Sequence, residues 1–443
     1  MIVAKFGGTS VANAFAIEQV KNILSKKEKK TFVVVSAFAG VTDLLLRIIN
    51  LIKNKDKSYH QEIESLFKRH YEVVEQLRLN QNVVDFLDQS KHEFQMVSNA
   101  LVVLGEITPR SVDLILSYGE ILSSQIIYAY LKSQGFDINY VDPRAIIKTD
   151  VNFTCAEVDV VATETQIRNY LAGNSAFQFH ITGGFVGSTL DGFTTTLGRG
   201  GSDYSASIIA SVISAEELEI WTDVDGIMTC DPNFVPNAKL LEHVSYKEAS
   251  EMAIFGAKVL HPKTIYPAIK KKIPVFVKNT FNPEGKCTFI SSYNSKEKKA
   301  KAIAFRKNVT VINIISSQML GTYGFLSKVF KIFERFETEV DLVSTSEVSI
   351  SLTIENLAFL SKIVKALKEF SDVEVIQKCV IVSVIGEGIK NSTKVAKRIF
   401  SAIDGVNVLM VSMGASDINF SIVVREKDFE KVVRLLHKEF FEQ

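Results

Sequence analysis

The chain has 443 residues, 47% of them hydrophobic and 23% charged, with 51 basic against 50 acidic side chains and a formal net charge of +1. That length suits roughly three folding units of about 150 residues, and the near-neutral balance offers no footprint for nucleic acid or another polyanion. No apolar run approaches the ~18 residues of a membrane span, and Lys5-Phe6-Gly7-Gly8 breaks the N-terminus too soon for a signal peptide, so a cytoplasmic protein is expected.

The first ~290 residues alternate short β-type runs with helix-length segments, the pattern of a mainly parallel α/β sheet whose ligands gather at the carboxyl ends of strands. Val3–Phe6 reads as the first strand and runs into Gly7-Gly8-Thr9-Ser10 ahead of a helical pattern. Glycines let backbone N–H groups approach an anion, and the following helix points its positive end the same way. Lys5 precedes the glycines, so this is not the G-x-x-x-x-G-K-[ST] loop; taken alone, the segment is equally an ordinary strand-to-helix turn. Phe32–Ala37 is the second strand, followed by the small and hydroxylated residues Ser36 to Thr42. From about 43 to 105 no strand is convincing, which predicts an inserted helical lobe. Further strands are expected at Phe136–Val141, Phe177–Thr182, Leu218–Thr222 and Pro274–Val277.

Five more segments are candidates for chemistry, each of which taken alone also has a plain structural reading as a cap, a strand-end turn or a surface residue. Ser117-Tyr118-Gly119-Glu120 puts a carboxylate inside a mostly apolar helical stretch; a helix-surface glutamate is the plain reading, which the apolar neighbours on both sides weaken. Thr182-Gly183-Gly184-Phe185 ends a strand and leads through a Gly-Thr-rich hairpin into Gly198-Arg199-Gly200-Gly201-Ser202-Asp203, which reads as a helix start with Ser202 or Asp203 as N-cap. Capping alone leaves Arg199 between glycines unexplained. Thr222-Asp223-Val224-Asp225-Gly226 ends another strand with acids, and Gly256-Ala257-Lys258-Val259-Leu260-His261-Pro262 supplies a further lysine. An amino acid's ammonium needs a carboxylate such as Glu120, and its α-carboxylate is best gripped by a guanidinium such as Arg199. A phosphoryl acceptor that is itself a carboxylate needs no catalytic base, only positioning and positive charge.

Beyond the lysine-rich stretch 296–301 the pattern becomes βαββαβ, at Val309–Ile315, Tyr323–Phe336, Val340–Ser344, Val348–Ile354, Leu357–Phe370 and Val373–Ile376. A βαββα series follows, at Cys379–Ile385, Ser392–Ile403, Val406–Met413, Asn419–Val424 and Asp428–Phe441, and it lacks a last strand. The unassigned strand Ala302–Lys307 would complete it, so the first module (about 309–377) would be inserted in the second (about 302–308 with 378–443). Cys155, Cys230, Cys287 and Cys379 are too far apart for a zinc spacing and read as free thiols.

These motifs, in this order and over essentially the whole chain, resemble the aspartokinases of the amino-acid-kinase family. The resemblance implies a three-layer αβα, carbamate-kinase-like domain at 1–295 and two ferredoxin-like ACT modules at 296–443. It implies ATP-dependent phosphorylation of L-aspartate to 4-phospho-L-aspartate, the first step toward lysine, threonine and methionine, with Mg²⁺ carried mainly by the phosphates and no metal site of the protein's own. It places Lys5 on the transferring phosphoryl group and has Asp203 organise the site; Phe6, Gly7, Gly8, Thr222, Asp223, Met228, Asn233, Lys258 and Val259 would bind the nucleotide. Ala37, Thr42, Glu120, Gly184, Phe185, Arg199 and Ser202 would hold aspartate. Met228 stands where a tyrosine is usual and Asn233 where an arginine is, which bears on nucleotide affinity.

In the ACT part, Met319, Thr322, Phe325, Leu326, Val340, Asp341, Thr345, Ser346 and Glu347 match the effector pattern of lysine-sensitive members, although Gly321-Thr322 replaces a common His-Ser pair. Lysine is thus the expected effector and a homo-oligomer through the ACT modules the expected assembly, with no fused homoserine dehydrogenase. The alternatives are a non-catalytic ACT-based amino-acid sensor on a decayed kinase fold, or a sibling kinase with another substrate.

Overall fold

A computed structural model describes residues 1–256, 262–292, 300–321, 323–414 and 416–442. Packing divides the chain into two units, Met1–Ile227 with Glu242–Tyr246 and Leu260–Ser292, and Met228–Leu241 with Lys247–Val259 and Tyr293–Gln443. The division therefore runs differently from a single cut at residue 295. Among the described residues no helix is long and apolar enough to cross a membrane.

The first unit is built on an eight-stranded sheet of order β3-β4-β2-β1-β7-β9-β10-β8. Its strands are β1 (Ile2–Phe6), β2 (Thr31–Val35), β3 (Ile138–Tyr140), β4 (Phe179–Gly183), β7 (Leu218–Thr222), β8 (His243–Ser245), β9 (Val275–Asn279) and β10 (Thr288–Ser291), while β5 (Val186–Ser188) and β6 (Thr194–Thr196) form a separate hairpin. All neighbours are parallel except β9 and β10. The central strands β1, β2 and β4 are buried along their whole length, as strands covered on both faces must be.

Period-2 alternation sends Ala4, Phe6, Val33, Val35 and Ile181 into one core with the helices Ala14–Ser25, Val41–Lys53, Tyr59–Gln76, Gln81–Leu104 and Pro109–Ser133. Val41, Leu44, Leu45, Ile48, Ile49 and Ile52 line the buried stripe of the second of these at helical spacing. The region expected as a helical lobe is made of such helices. Lys5, between Ala4 and Phe6, must point to the opposite face, where helix Gly201–Ile213 packs on β1, β2 and β7.

One charge is built into the core itself. Glu219 on β7 is fully buried, with its carboxylate 2.7 Å from Lys27 Nζ and 2.5 Å from Lys278 Nζ, and it accepts from Trp221 Nε1 at 3.0 Å. Burial pushes its pKa up, but the two lysines outweigh that and leave it below the usual glutamate value.

The second unit carries a six-stranded antiparallel sheet of order β12-β13-β11-β14-β16-β15, made of β11 (Ala302–Ile315), β12 (Val343–Thr345), β13 (Ser349–Ile354), β14 (Asp372–Ile385), β15 (Val408–Met413) and β16 (Asn419–Arg425). The long strands β11 and β14 pair along both modules: Ala302–Arg306 against Ile381–Ile385, then Val311–Ile315 against Asp372–Ile376. Between these stretches the register shifts, and Asn308 and Lys378 take left-handed φ of 61° and 57°. Each side has its own core, Ile312, Val329, Phe333, Leu352 and Ile363 on one and Val382, Ile399, Ile422, Phe429 and Val433 on the other. Cys230 and Val235 join the latter, and Ile303 N donates to Thr229 O at 2.7 Å, which is why 228–241 belongs with this unit.

Replacing Glu219 by Gln should lower the stability of the first unit by about 2–3 kcal/mol, less than the ~3–5 of a fully buried pair because both lysines reach solvent. Because the carboxyl is held below its unfolded value, this difference should be complete above the usual glutamate pKa and shrink as pH falls through the folded one. Urea unfolding followed by the fluorescence of Trp221, the single tryptophan, would measure it; equal midpoints for the two proteins would refute the assignment.

Candidate active site

The carboxyl ends of β1, β2 and β4, and two helix starts, surround a cavity of about 700 Å³. Lys5, Gly8, Ala37, Thr42, Glu120, Phe185, Arg199, Ser202 and Asp203 all line it, so segments far apart in sequence meet there. Lys5 Nζ lies 2.6 Å from Asp203 Oδ1, with about a tenth of each side chain exposed (10% and 14%).

The helix start at 201 departs from the expected cap. Its N-cap is Gly200, left-handed at φ 72°, and no side chain caps it; Ser202 and Asp203 lie inside the first turn. Helix Val41–Lys53 begins the same way, on Gly40 at φ 79° without a side-chain cap. With no side chain at either cap, both starts leave first-turn N–H groups and the positive dipole end available to an anion at the cavity. Only a glycine fits where the end of β4 meets helix Gly201–Ile213: a Cβ on Gly184 would stand 2.6 Å from Ser202 Cα. The next residue, Phe185, takes φ 63° in a tight turn closed by Val186 N donating to Gly184 O at 2.6 Å, and its own N–H donates to Ser205 Oγ at 3.0 Å.

Glu120 is the electrostatic outlier of the site. It is buried, its Oε1 accepts from Ala37 N at 3.2 Å, and its Oε2 is buried without a hydrogen-bond partner. Desolvation raises its pKa to about 8 against the opposing pull of the Ala37 N–H and the Lys5 charge. Arg199, by contrast, is exposed at the cavity and pairs with no carboxylate among the described residues.

Other expected residues fall elsewhere. The Phe6 ring is buried and stacks on Trp221 at 5.9 Å, which leaves only its backbone to a ligand. Gly7 N donates to Trp221 O at 2.9 Å, and Thr222 Oγ1 donates to Asp223 Oδ1 at 3.1 Å at the end of β7. Met228, bridged to Leu240, and Asn233, whose N–H donates to Asp231 Oδ1, pack in the second unit. Lys258, Val259, His261 and Thr322 lie outside the described residues.

In the second unit, Met319, Phe325, Leu326, Ser346 and Glu347 line a cavity of about 420 Å³. Asp341 does not line it; its carboxylate is 2.5 Å from Arg306 Nη1, and burial lifts its pKa to about 6 despite that partner. Val340 packs on the neighbouring core, and Thr345 is exposed on the edge strand β12.

Sequence reasoning missed Thr154 and Thr196 on the wall of the first cavity, and Asp113, which hydrogen-bonds both. A signal for Asp113 was present: it and Glu120 are polar positions seven residues apart in an apolar helix, hence on one face. Thr154 left no such mark.

Without ligand, Glu120 should be protonated at neutral pH. An infrared band of a protonated carboxylic acid, absent from Glu120→Gln, should disappear as pH rises through about 8; an ionised Glu120 at pH 6 would contradict the burial argument.

Residues 1–279 match the Amino acid kinase family and residues 382–440 the ACT domain. Lysine-sensitive aspartokinase 3 of Escherichia coli (strain K12) is 34% identical over 455 residues, covering 100% of this chain and 99% of that protein. The crystal structure of E. coli aspartokinase III in complex with aspartate and ADP (R-state) superimposes with a TM-score of 0.89 at 32% identity, covering 100% of both chains. The same enzyme in complex with lysine and aspartate (T-state) gives 0.83 at 33% identity, over 100% of this chain and 99% of that one. Matched along its whole length in sequence and in fold, the chain belongs to the aspartokinases of the amino acid kinase family.

Proposed function

We propose that the cavity of the first unit transfers the terminal phosphoryl group of ATP to the side-chain carboxylate of L-aspartate, yielding 4-phospho-L-aspartate, and that lysine restrains this reaction through the ACT modules. The observation that carries the substrate reading is the pairing of opposite needs on one cavity: a buried carboxylate oxygen without a donor on Glu120, and an exposed guanidinium on Arg199. An α-amino acid supplies both an ammonium and a carboxylate. Ser202, Thr42, Ala37 and Phe185 would shape the space around them, and Gly184 lets the wall close on Ser202.

In the reaction, a β-carboxylate oxygen of aspartate forms a bond to the terminal phosphorus as the bond from that phosphorus to the ADP oxygen breaks. The carboxylate is already ionised, so no proton is moved and no base is needed. Lys5 would neutralise the charge on the transferring group, with Asp203 holding its ammonium in place, while the Gly8 backbone and the uncapped helix starts would face phosphate oxygens. Thr222 and Asp223, at the end of β7 in the same unit, would contact the rest of the nucleotide. Mg²⁺ would be held chiefly by phosphate oxygens. When bound, Mg²⁺ would further neutralise those oxygens.

For regulation, the second-unit cavity would take lysine, with Glu347 facing an ammonium alongside Met319, Phe325, Leu326 and Ser346. Asp341 could serve only after yielding its ion pair with Arg306. Exposed Leu320, Tyr323 and Leu326 beside this cavity favour a homodimer closing over it. Four free cysteines suit a reducing cytoplasm.

Aspartate-dependent ADP release, trapped as aspartyl hydroxamate, is the deciding assay; activity on another acid but not aspartate would sink the substrate reading. Lys5→Ala should lower kcat by about 10²–10³-fold with a smaller effect on aspartate KM. Lysine titrated into the assay should inhibit, and indifference to lysine would leave that cavity without its proposed ligand. Because an ammonium binds the ionised Glu120 while the free carboxyl titrates at about 8, aspartate KM should rise as pH falls below that value, by up to about tenfold per unit, with proton release on binding. Calorimetry in two buffers of different ionisation enthalpy would detect the proton, and Glu120→Gln should abolish both effects.

A further inference from the structure

Asp113 is a fully buried carboxylate on helix Pro109–Ser133, and among the described residues no cation pairs with it. It is held instead by three donors from two other segments. Thr154 N donates to Oδ1 at 3.0 Å and Oδ2 at 2.9 Å, Thr196 N to Oδ2 at 3.1 Å, and Thr196 Oγ1 to Oδ1 at 2.6 Å. A buried carboxylate with this many donors ties its segments together strongly, because loss of any donor leaves charge unsolvated. Burial raises its pKa while the Thr196 and Thr154 hydrogen bonds oppose the rise.

Both tied residues are walls of the active-site cavity. Thr154 sits in the left-handed region at φ 72°, a conformation that β-branched residues avoid and that its surroundings must impose. Thr196 ends β6, and the chain then runs directly through Leu197 and Gly198 to Arg199. Gly198 rests on the Thr154–Cys155 backbone: a Cβ there would lie 3.5 Å from Thr154 O and 3.3 Å from Cys155 Sγ. The loop carrying Arg199 is therefore gripped on both sides by residues that Asp113 holds. Glu120 stands on the same helix, two turns further along and about 10 Å away along its axis.

We propose that Asp113 is a positioning residue for the amino-acid substrate: through Thr154 and Thr196 it sets the place of Arg199 relative to Glu120. One rigid helix would thus fix the spacing between the group that takes the substrate's ammonium and the group that takes its α-carboxylate. This rests on the aspartokinase reading above, and it concerns aspartate binding rather than nucleotide binding or the chemical step. Asparagine at 113 keeps the shape but turns an N–H₂ toward N–H donors, which should loosen the Arg199 loop.

The test is a double-mutant cycle of the full-length protein: wild type, Asp113→Asn, Arg199→Gln and the double variant, each with aspartate KM, ATP KM and kcat from the hydroxamate assay. Asp113→Asn should raise aspartate KM about tenfold and leave ATP KM within about twofold, and in the Arg199→Gln background it should add less than about threefold. Equal rises in both KM values, an equal effect in both backgrounds, or an unchanged aspartate KM would each overturn the proposal. Should Asp113→Asn fail to fold, Thr196→Val removes only the 2.6 Å hydrogen bond, and it should raise aspartate KM about threefold in wild type but not beside Arg199→Gln; no rise would sink the idea equally. A wild-type protein that forms no aspartyl hydroxamate would overturn the aspartokinase reading itself, whereas an active wild type with additive variants overturns this inference alone.

Discussion

The site turns on one ion pair in a place where charge is expensive. Lys5 leaves a wholly buried strand and meets Asp203 at 2.6 Å in the first turn of a facing helix, each side chain only about a tenth exposed. Such a pair gains little stability, because desolvation of two charges consumes most of their attraction. What it secures is position: a cation that can point only across the cavity, beside two helix starts whose N–H groups no side chain covers. The sheet order brings these parts together, since β1 lies between β2 and β7 and helix Gly201–Ile213 packs over all three.

Around that cation the cavity divides its polarity. Lys5 and the two helix ends make one region suited to phosphate oxygens, whereas Glu120, buried and short of a donor, asks for a cation. A carboxyl pushed up to about 8 is the electrostatic cost of keeping it dry, and an ammonium beside it would reverse the shift. Arg199, on its glycine-flanked loop, lines the same cavity, and Asp113 links that loop to the helix that carries Glu120.

The regulatory half solves a different problem. Two modules with separate cores share two strands of 14 residues each, so neither has an independent sheet. The register shift near Asn308 and Lys378 lets one ladder serve both without imposing a single twist on them. Asp341 is anchored to Arg306 just before that shift, so a ligand that competes for Asp341 would act at the joint between the modules.

Local pattern alone was enough for a good deal of this. The buried apolar strands, the stripe from Val41 to Ile52, and the two βαββ series each repeat at the period of their element, and the unclaimed run Ala302–Lys307 could be paired by counting strands. The lysine before two glycines and the glycine-flanked arginine were visible because chemistry at a strand end concentrates in short motifs. Tertiary structure decided the rest. No period in the sequence places Thr154 or Thr196 beside Asp113, because their contact depends on a hairpin folding back onto a helix. Gly200 rather than Ser202 caps its helix because β4 comes so close that the chain must turn through a left-handed residue. Glu120 is a residue type that usually faces water, and only the closure of Ala37 and Gly183 around it buries its carboxyl. Residue type and spacing specified which groups the site would contain; the packing of distant segments specified which of them are dry, paired or left waiting for a partner.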